Sequence, residues 1–147
     1  LVSSGALALG KKSLNFKKNN LKVSEKQAAS SVGQVLLINA WKKAFLKYKK
    51  QCGQILLTHL DAEIRSSAIN ARNTIESLLK LNSIPIINEN DTVATQELRY
   101  GDNDQLAARV CELVSANCLI LFSDVDGLYD EDPRENVNLF WRTPRVN

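Results

Sequence analysis

Four short stretches of this sequence gather side chains able to do chemistry. Asn88-Glu89-Asn90-Asp91-Thr92 follows the apolar run Ile84-Pro85-Ile86-Ile87. A carboxylate such as Asp91 suits an ammonium group, and neighbouring amides can donate to a carboxylate, so the stretch can bind a small zwitterion. The same residues also fit an Asx-rich turn with no ligand. Gly101-Asp102-Asn103-Asp104 precedes a helical pattern. One Asp or Asn suffices to cap a helix; three in succession leave a surplus for ligand contact or for holding a lysine. Ser3-Ser4-Gly5-Ala6 reads as a small-residue turn into a helix. Glycine there lets a ligand approach the backbone, and the helix start offers N–H groups to an anion. The fourth stretch is Ser123-Asp124, behind the apolar run Cys118 to Phe122.

Three familiar motifs fail on inspection. Gly5 to Lys12 nearly matches the phosphate loop G-x-x-x-x-G-K-[ST], but Lys12 stands where a hydroxyl would hold Mg²⁺. Ala6-Leu7-Ala8-Leu9 also favours a helix over an open cradle. The acid-dense run Asp124 to Asp132 places Gly127 fourth, whereas a calcium loop needs glycine sixth. His59 is the only histidine, which excludes a two-His metal site and leaves a Ser/His/Asp triad improbable.

The elements that must position these residues follow from periodicity. Residues 1–4 read as the end of a strand, and the Lys/Asn-rich residues 11–25 as a loop. From Lys26 to Lys49 the apolar positions Ala28, Val32, Val35, Ile38, Trp41, Phe45 and Tyr48 recur at helical spacing. Gly33 lies inside that helix at some cost in propensity, with close packing as its compensation. Gln54 to Thr58 reads as a buried strand. Asp61 then caps a helix carrying Ile64, Ala68, Ala71, Ile75 and Leu78. Ile84 to Ile87 forms the next strand, residues from Asp102 the third helix, and Cys118 to Phe122 a last strand. Alternating strands and helices, with strands apolar throughout, mark an α/β chain whose sheet is covered on both faces. Ligands of such sheets bind beyond the carboxyl ends of the strands, where three of the polar stretches fall: Ser3-Ser4-Gly5, Asn88 to Asp91, and Ser123-Asp124.

Composition agrees with one globular unit. The chain has 147 residues, 44% of them hydrophobic and 24% charged. Its longest apolar run, Cys118 to Phe122, is far below the roughly 18 residues that span a bilayer. Cys52, Cys111 and Cys118 form no C-x-x-C pair, and free thiols in a reducing cytosol are expected. The net charge of +3 conceals an asymmetry. Residues 1–60 hold eleven Lys and one acid, for +10; residues 61–147 hold eight basic side chains against fifteen acids, for −7. Without interleaved aromatics, the lysines read as a solvated face rather than a nucleic-acid surface. The sequence contains no Met and no signal peptide pattern, and it reads as a piece of a longer protein.

In their order and spacing, these segments resemble the glutamate 5-kinase branch of the amino acid kinase family. The residues carrying the resemblance are Ser4-Gly5-Ala6, Lys26-Gln27-Ala28, Val32-Gly33-Gln34, Gly53 to Thr58, Asn70-Ala71-Arg72, Asn88 to Ala94, Gly101 to Asp104, Ser123 to Tyr129 and Asp132-Pro133-Arg134. The resemblance implies an α/β three-layer sandwich around a mostly parallel sheet. Residues 1–135 would be the central part of an amino acid kinase domain, and 136–147 a divergent, unassigned tail. It implies ATP-dependent phosphorylation of the side-chain carboxylate of L-glutamate to glutamyl 5-phosphate, the first step of proline biosynthesis, with ATP and Mg²⁺ as cofactors. Ser4, Asp91 and Asn103 would contact glutamate, and Ser123 and Asp124 the nucleotide. Asp104 is assigned to the catalytic machinery, as the partner of a lysine. No metal ligand is expected from the protein. The expected setting is cytoplasmic and homo-oligomeric, without membrane or nucleic acid. The family's Lys- and Gly-rich phosphate-binding segments would fall outside residues 1–147, so the isolated chain is expected to be an incomplete catalyst. The alternative is a non-catalytic amino-acid-binding module or a Lys-rich nucleic-acid binder.

Overall fold

The computed structural model describes residues 1–17, 20–94 and 103–122. Seven elements follow in order: α1 (Ala6–Ser13), α2 (Val23–Leu46), β1 (Gln51–Leu57), α3 (His59–Glu63), α4 (Arg65–Lys80), β2 (Ser83–Glu89) and α5 (Asn103–Leu113). β1 and β2 pair in parallel, from Gln51 opposite Ser83 to Leu57 opposite Glu89. On its other side β2 accepts the start of the chain: Ser3 N donates to Ile87 O at 2.9 Å and Ile87 N to Leu1 O at 2.8 Å. β2 is thus the central line of the described sheet, and its burial reflects that, with Pro85 to Asn88 all buried. The fold is mixed helix and parallel strand, as expected, with a sheet of two strands among the described residues.

Side-chain alternation along β2 separates two layers. Ile87 meets Leu57, Ile75 of α4 and Leu106 of α5 in a buried cluster, flanked by Val2, Ile55, Ala71 and Val110. Gly53 lies on this same face of β1, and a side chain there would run into Leu78 of α4. Ile86 and Asn88 point the other way, and Asn88 bonds to Gln34 of α2. Among the described residues no helix is long and apolar enough to cross a membrane. Cys52, Cys111 and Cys118 are free thiols.

The packing of α1 on α2 explains Gly33. A Cβ on Gly33 would stand 1.7 Å from Ala6 O, and one on Gly10 would stand 1.7 Å from Ala29 O. Backbone therefore touches backbone, and the contact stripe Ala29, Ser30, Gly33, Gln34 and Leu37 is the buried face of α2. This corrects the expected stripe. Of its members, Ala28, Val32, Val35 and Tyr48 are exposed, and Ile38, Trp41 and Phe45 are half-buried. α2 carries apolar residues on more than one side, and close approach to α1 selects the side with the smallest ones. Trp41 still anchors the helix, stacking on Phe45 and donating from Nε1 to Ser3 Oγ at 2.9 Å.

Three further expectations change. The loop at 11–25 is shorter, because α1 runs through Ser13 and α2 starts at Val23. Thr58, not Asp61, caps the helix after β1. Asp61 is its reciprocal partner, accepting from Thr58 N at 2.8 Å while Asp61 N donates to Thr58 Oγ1 at 3.2 Å. That pair closes the short α3, and the chain turns at Ile64 before α4. Finally, Cys118 to Phe122 is not a strand. An apolar run becomes a strand only where a neighbour supplies ladder partners. Among the described residues none does, and this segment lies across a cleft of about 360 Å³ from Leu1 and Val2, with Phe122 96% exposed.

Candidate functional site

Three chain segments end at one place. The turn before α1, the carboxyl end of β2 with the loop behind it, and the first residue of α5 enclose a cavity of about 630 Å³. Ser4, Gly5, Ala6, Leu7, Ala8 and Lys11 line one side; Asn88, Glu89, Asp91 and Asn103 line the other. Each side is held by its own local chemistry.

On the first side Gly5 takes φ 107°, a left-handed conformation that turns the chain sharply into α1. No side chain caps this helix, and its first turn holds no acid. The first N–H groups of an α-helix have no partner within the helix, so the residues lining the cavity here present a partial positive charge. Space beside the Gly5 Cα is open. Lys11 adds a full positive charge to the same wall.

On the second side Asn90 N donates to Leu57 O at 2.9 Å, tying the loop to the end of β1. Val93 N and Ala94 N both turn back to Asn90 O, so the Asx-rich stretch is a genuine turn, and Gln27 Nε2 reaches Ala94 O at 3.5 Å. The turn and the ligand reading are therefore compatible: the turn is what presents Asp91 to the cavity. Asn88, buried beneath it, accepts at Oδ1 from Glu89 N at 2.9 Å and from Asn103 Nδ2 at 3.1 Å, and donates from Nδ2 to Gln34 Oε1 at 2.8 Å. Because Asn103 spends an N–H on Asn88, the acceptor left to its carboxamide is Oδ1.

The cavity is thus electrically two-ended. Glu89, Asp91 and the Asn103 carbonyl suit a cation, and the α1 start with Lys11 suits an anion. Such a pair of ends matches a zwitterion. Among the described residues, no group of three His, Cys, Asp or Glu side chains is placed to hold a metal ion.

The structure brings Ser4, Asp91 and Asn103 together in this cavity. Asp104 lies next door, lining the cleft that also contains Leu1, Val2 and residues 118–122, while Ser4 and Asn103 border both spaces. Ser123 and Asp124, like Gly101, Asp102 and the tail 136–147, lie outside the described residues. The amide of Asn88, expected to donate to a ligand carboxylate, is instead buried and donates from Nδ2 to Gln34 Oε1. Two residues carry too little sequence signal to be found. Lys11 falls in the failed phosphate loop. Gln34 carried no local signal, since a polar residue on a helix reads as exposed.

The chain matches the amino acid kinase family over residues 1–139. It is 52% identical over 147 residues to the glutamate 5-kinase of Caulobacter vibrioides (strain NA1000 / CB15N), covering 100% of this chain and 39% of that relative. It is 54% identical over 136 residues to the glutamate 5-kinase of Paramagnetospirillum magneticum, covering 92% of this chain and 36% of the relative. The glutamate 5-kinase of Pelagibacter ubique is 52% identical over 134 residues, covering 91% and 36%. The chain therefore spans less than two fifths of the length of these relatives.

Proposed function

The chain belongs to the amino acid kinase family, and we propose that it forms the glutamate-binding part of a glutamate 5-kinase. The observation that carries this reading is the two-ended cavity. Asp91 and Asn103 Oδ1 hold the substrate ammonium, and Ser4 with the α1 start receives a carboxylate. All three relatives reported above are named glutamate 5-kinase, which supports the same substrate.

The reaction follows from the charge of the nucleophile. At neutral pH the glutamate side-chain carboxylate is already ionised. One of its oxygens attacks the γ-phosphorus of ATP, the new P–O bond forms, and the bond to the ADP oxygen breaks. No proton has to be removed from the nucleophile, so the acids of the site are not needed as general bases. Their work is to bind and to orient, which is where most phosphoryl-transfer catalysis lies. Two anions must meet, so cations are required. The start of α1 and Lys11 would supply positive charge where the substrate carboxylate meets the transferred phosphoryl group. Mg²⁺, when bound, would supply further positive charge to the transferred group. Asp104, in the adjoining cleft, would position a lysine, and Ser123 with Asp124, outside the described residues, would serve the nucleotide.

The test is calorimetric titration of the protein, expressed from the whole reading frame that encodes this chain, with L-glutamate and with glutarate, which lacks the ammonium. L-Glutamate should bind at least about tenfold more tightly. ATP-dependent acyl phosphate, trapped with hydroxylamine as the hydroxamate, should appear with L-glutamate alone. Equal binding of both acids, or no hydroxamate, would overturn the reading.

A further inference from the structure

Ser30, Gln34 and Asn88 are the buried polar side chains of the described structure, at 3%, 8% and 3% exposure. Two of them are bonded to each other, on the side of β2 away from the main apolar cluster. Gln34 is an expensive residue at this place. Its Nε2 and the Ser30 Oγ are buried with no hydrogen-bond partner among the described residues. An unsatisfied buried donor is destabilising, and an apolar side chain of equal volume would avoid that cost. Among the described residues, the side-chain hydrogen bond that Gln34 makes leads directly to the cavity.

We infer that Gln34 is a positioning residue for the cavity, acting through Asn88 to fix which end of the Asn103 carboxamide is offered to the ligand. The inference rests on the proposed function for the identity of that ligand. The chain of bonds crosses three elements, from Gln34 Oε1 on α2 to Asn88 Nδ2 at the end of β2, and from Asn88 Oδ1 to Asn103 Nδ2 at the start of α5. Glu89 N can only donate, so Asn88 turns Oδ1 toward it and Nδ2 toward α2, where Gln34 Oε1 is the acceptor that satisfies Nδ2 and holds the side chain in place. Asn88 Oδ1 then faces Glu89 N and Asn103 Nδ2, two donors. Asn103 is left with its carbonyl oxygen as the acceptor for an ammonium, beside the Asp91 carboxylate.

Without the Gln34 oxygen, Asn88 Nδ2 would be buried and unpaired. The side chain relieves that cost only by rotating, and rotation carries Oδ1 away from Asn103. The seat of Gln34 is itself fixed by its neighbour. Gly33 lies in backbone contact with α1, so α2 has little freedom to turn about its axis.

Two substitutions of near-constant volume separate this role from plain packing. Gln34→Met removes the acceptor, and Gln34→Glu keeps an oxygen in its place. In protein from the full reading frame, Gln34→Met should raise the KM for L-glutamate about tenfold, the size of one lost polar contact, and leave the KM for ATP within about twofold. Gln34→Glu should return the glutamate KM to within about twofold of the starting protein. An unchanged glutamate KM in Gln34→Met, equal loss in both variants, or equal change in both KM values would overturn the inference.

A ligand-free measurement separates this idea from the function it rests on. NMR of the side-chain carboxamides should show slowly exchanging protons at Asn88 and Asn103, and Gln34→Met should release both. If that holds while the starting protein ignores glutamate, the relay stands and the substrate assignment falls. Freely exchanging Asn88 and Asn103 carboxamides in the unmodified protein would overturn the relay without any variant, including the case in which Gln34→Met does not fold.

Discussion

The two faces of α2 differ in a direction that hydropathy does not anticipate. The inner face is Ala29, Ser30, Gly33, Gln34 and Leu37, and it is buried. The outer face carries Val32, Val35 and Leu36, and it is exposed, with Val35 at 58%. The more apolar face is the one left outside. What decides the matter is fit. α1 approaches so closely that any Cβ at Gly10 or Gly33 would overlap a carbonyl. That approach also places the α1 start opposite the end of β2, where the cavity forms. Small size on the inner face is thus a property of the site as much as of the core.

The comparison breaks most easily at its tightest point. Gly33→Ala should cost 3 kcal/mol or more, on the order of severe overpacking, because the obstructing atom is backbone and cannot step aside. Chemical denaturation should show the loss, and ligand binding should go with it as α1 lifts away. Leu37→Ala on the same face removes packing rather than adding a clash, and a loss of about 2–3 kcal/mol is expected in the same experiment. Asp91→Asn tests the cavity that the inner face supports. It should weaken L-glutamate binding by about 1.5–3 kcal/mol, roughly ten- to a hundredfold by calorimetry. The outer face should hardly respond. Val35→Ser is expected to shift stability by no more than about 0.5 kcal/mol. A large Val35→Ser effect would mean that the outer face is covered in solution, and the contrast would fail.

Much of this was legible in the residues. Strand ends with polar clusters pointed to Ser4 and Asp91, and the polar surplus before a helix pointed to Asn103; the first two share one cavity because parallel strands deliver their carboxyl ends to the same edge, and α5 starts beside it. Ala-Leu-Ala-Leu announced α1 through helix propensity, and Gly33 signalled close packing. The buried face of α2 was not legible, because periodicity identifies apolar residues and not the neighbour that will cover them. Asp61 was misplaced by three residues for a related reason: in a reciprocal cap both partners are acceptors, and pattern alone does not say which stands outside the helix. Cys118 to Phe122 has strand composition, but ladder bonds need a partner that composition does not provide. Gln34 was invisible as a buried group because its value lies in a bond 54 residues away.

The attachment of residues 1–3 to β2 has a kinetic consequence. Ser3 N reaches Ile87 O, 84 positions further along the chain, whereas β1, α4 and β2 form one contiguous crossover. Closing a longer loop costs more entropy, and non-local pairings are slow to be rewarded. The crossover should therefore gain protection first in pulse-labelled hydrogen exchange during refolding, with Ser3 and Ile87 amides lagging behind the β1–β2 ladder. Since one wall of the cavity is α1 and the other is the end of β2, binding competence would mature last, after most of the secondary structure is in place. A ligand that bridges both walls would then act as a clamp on the slowest closure of the chain.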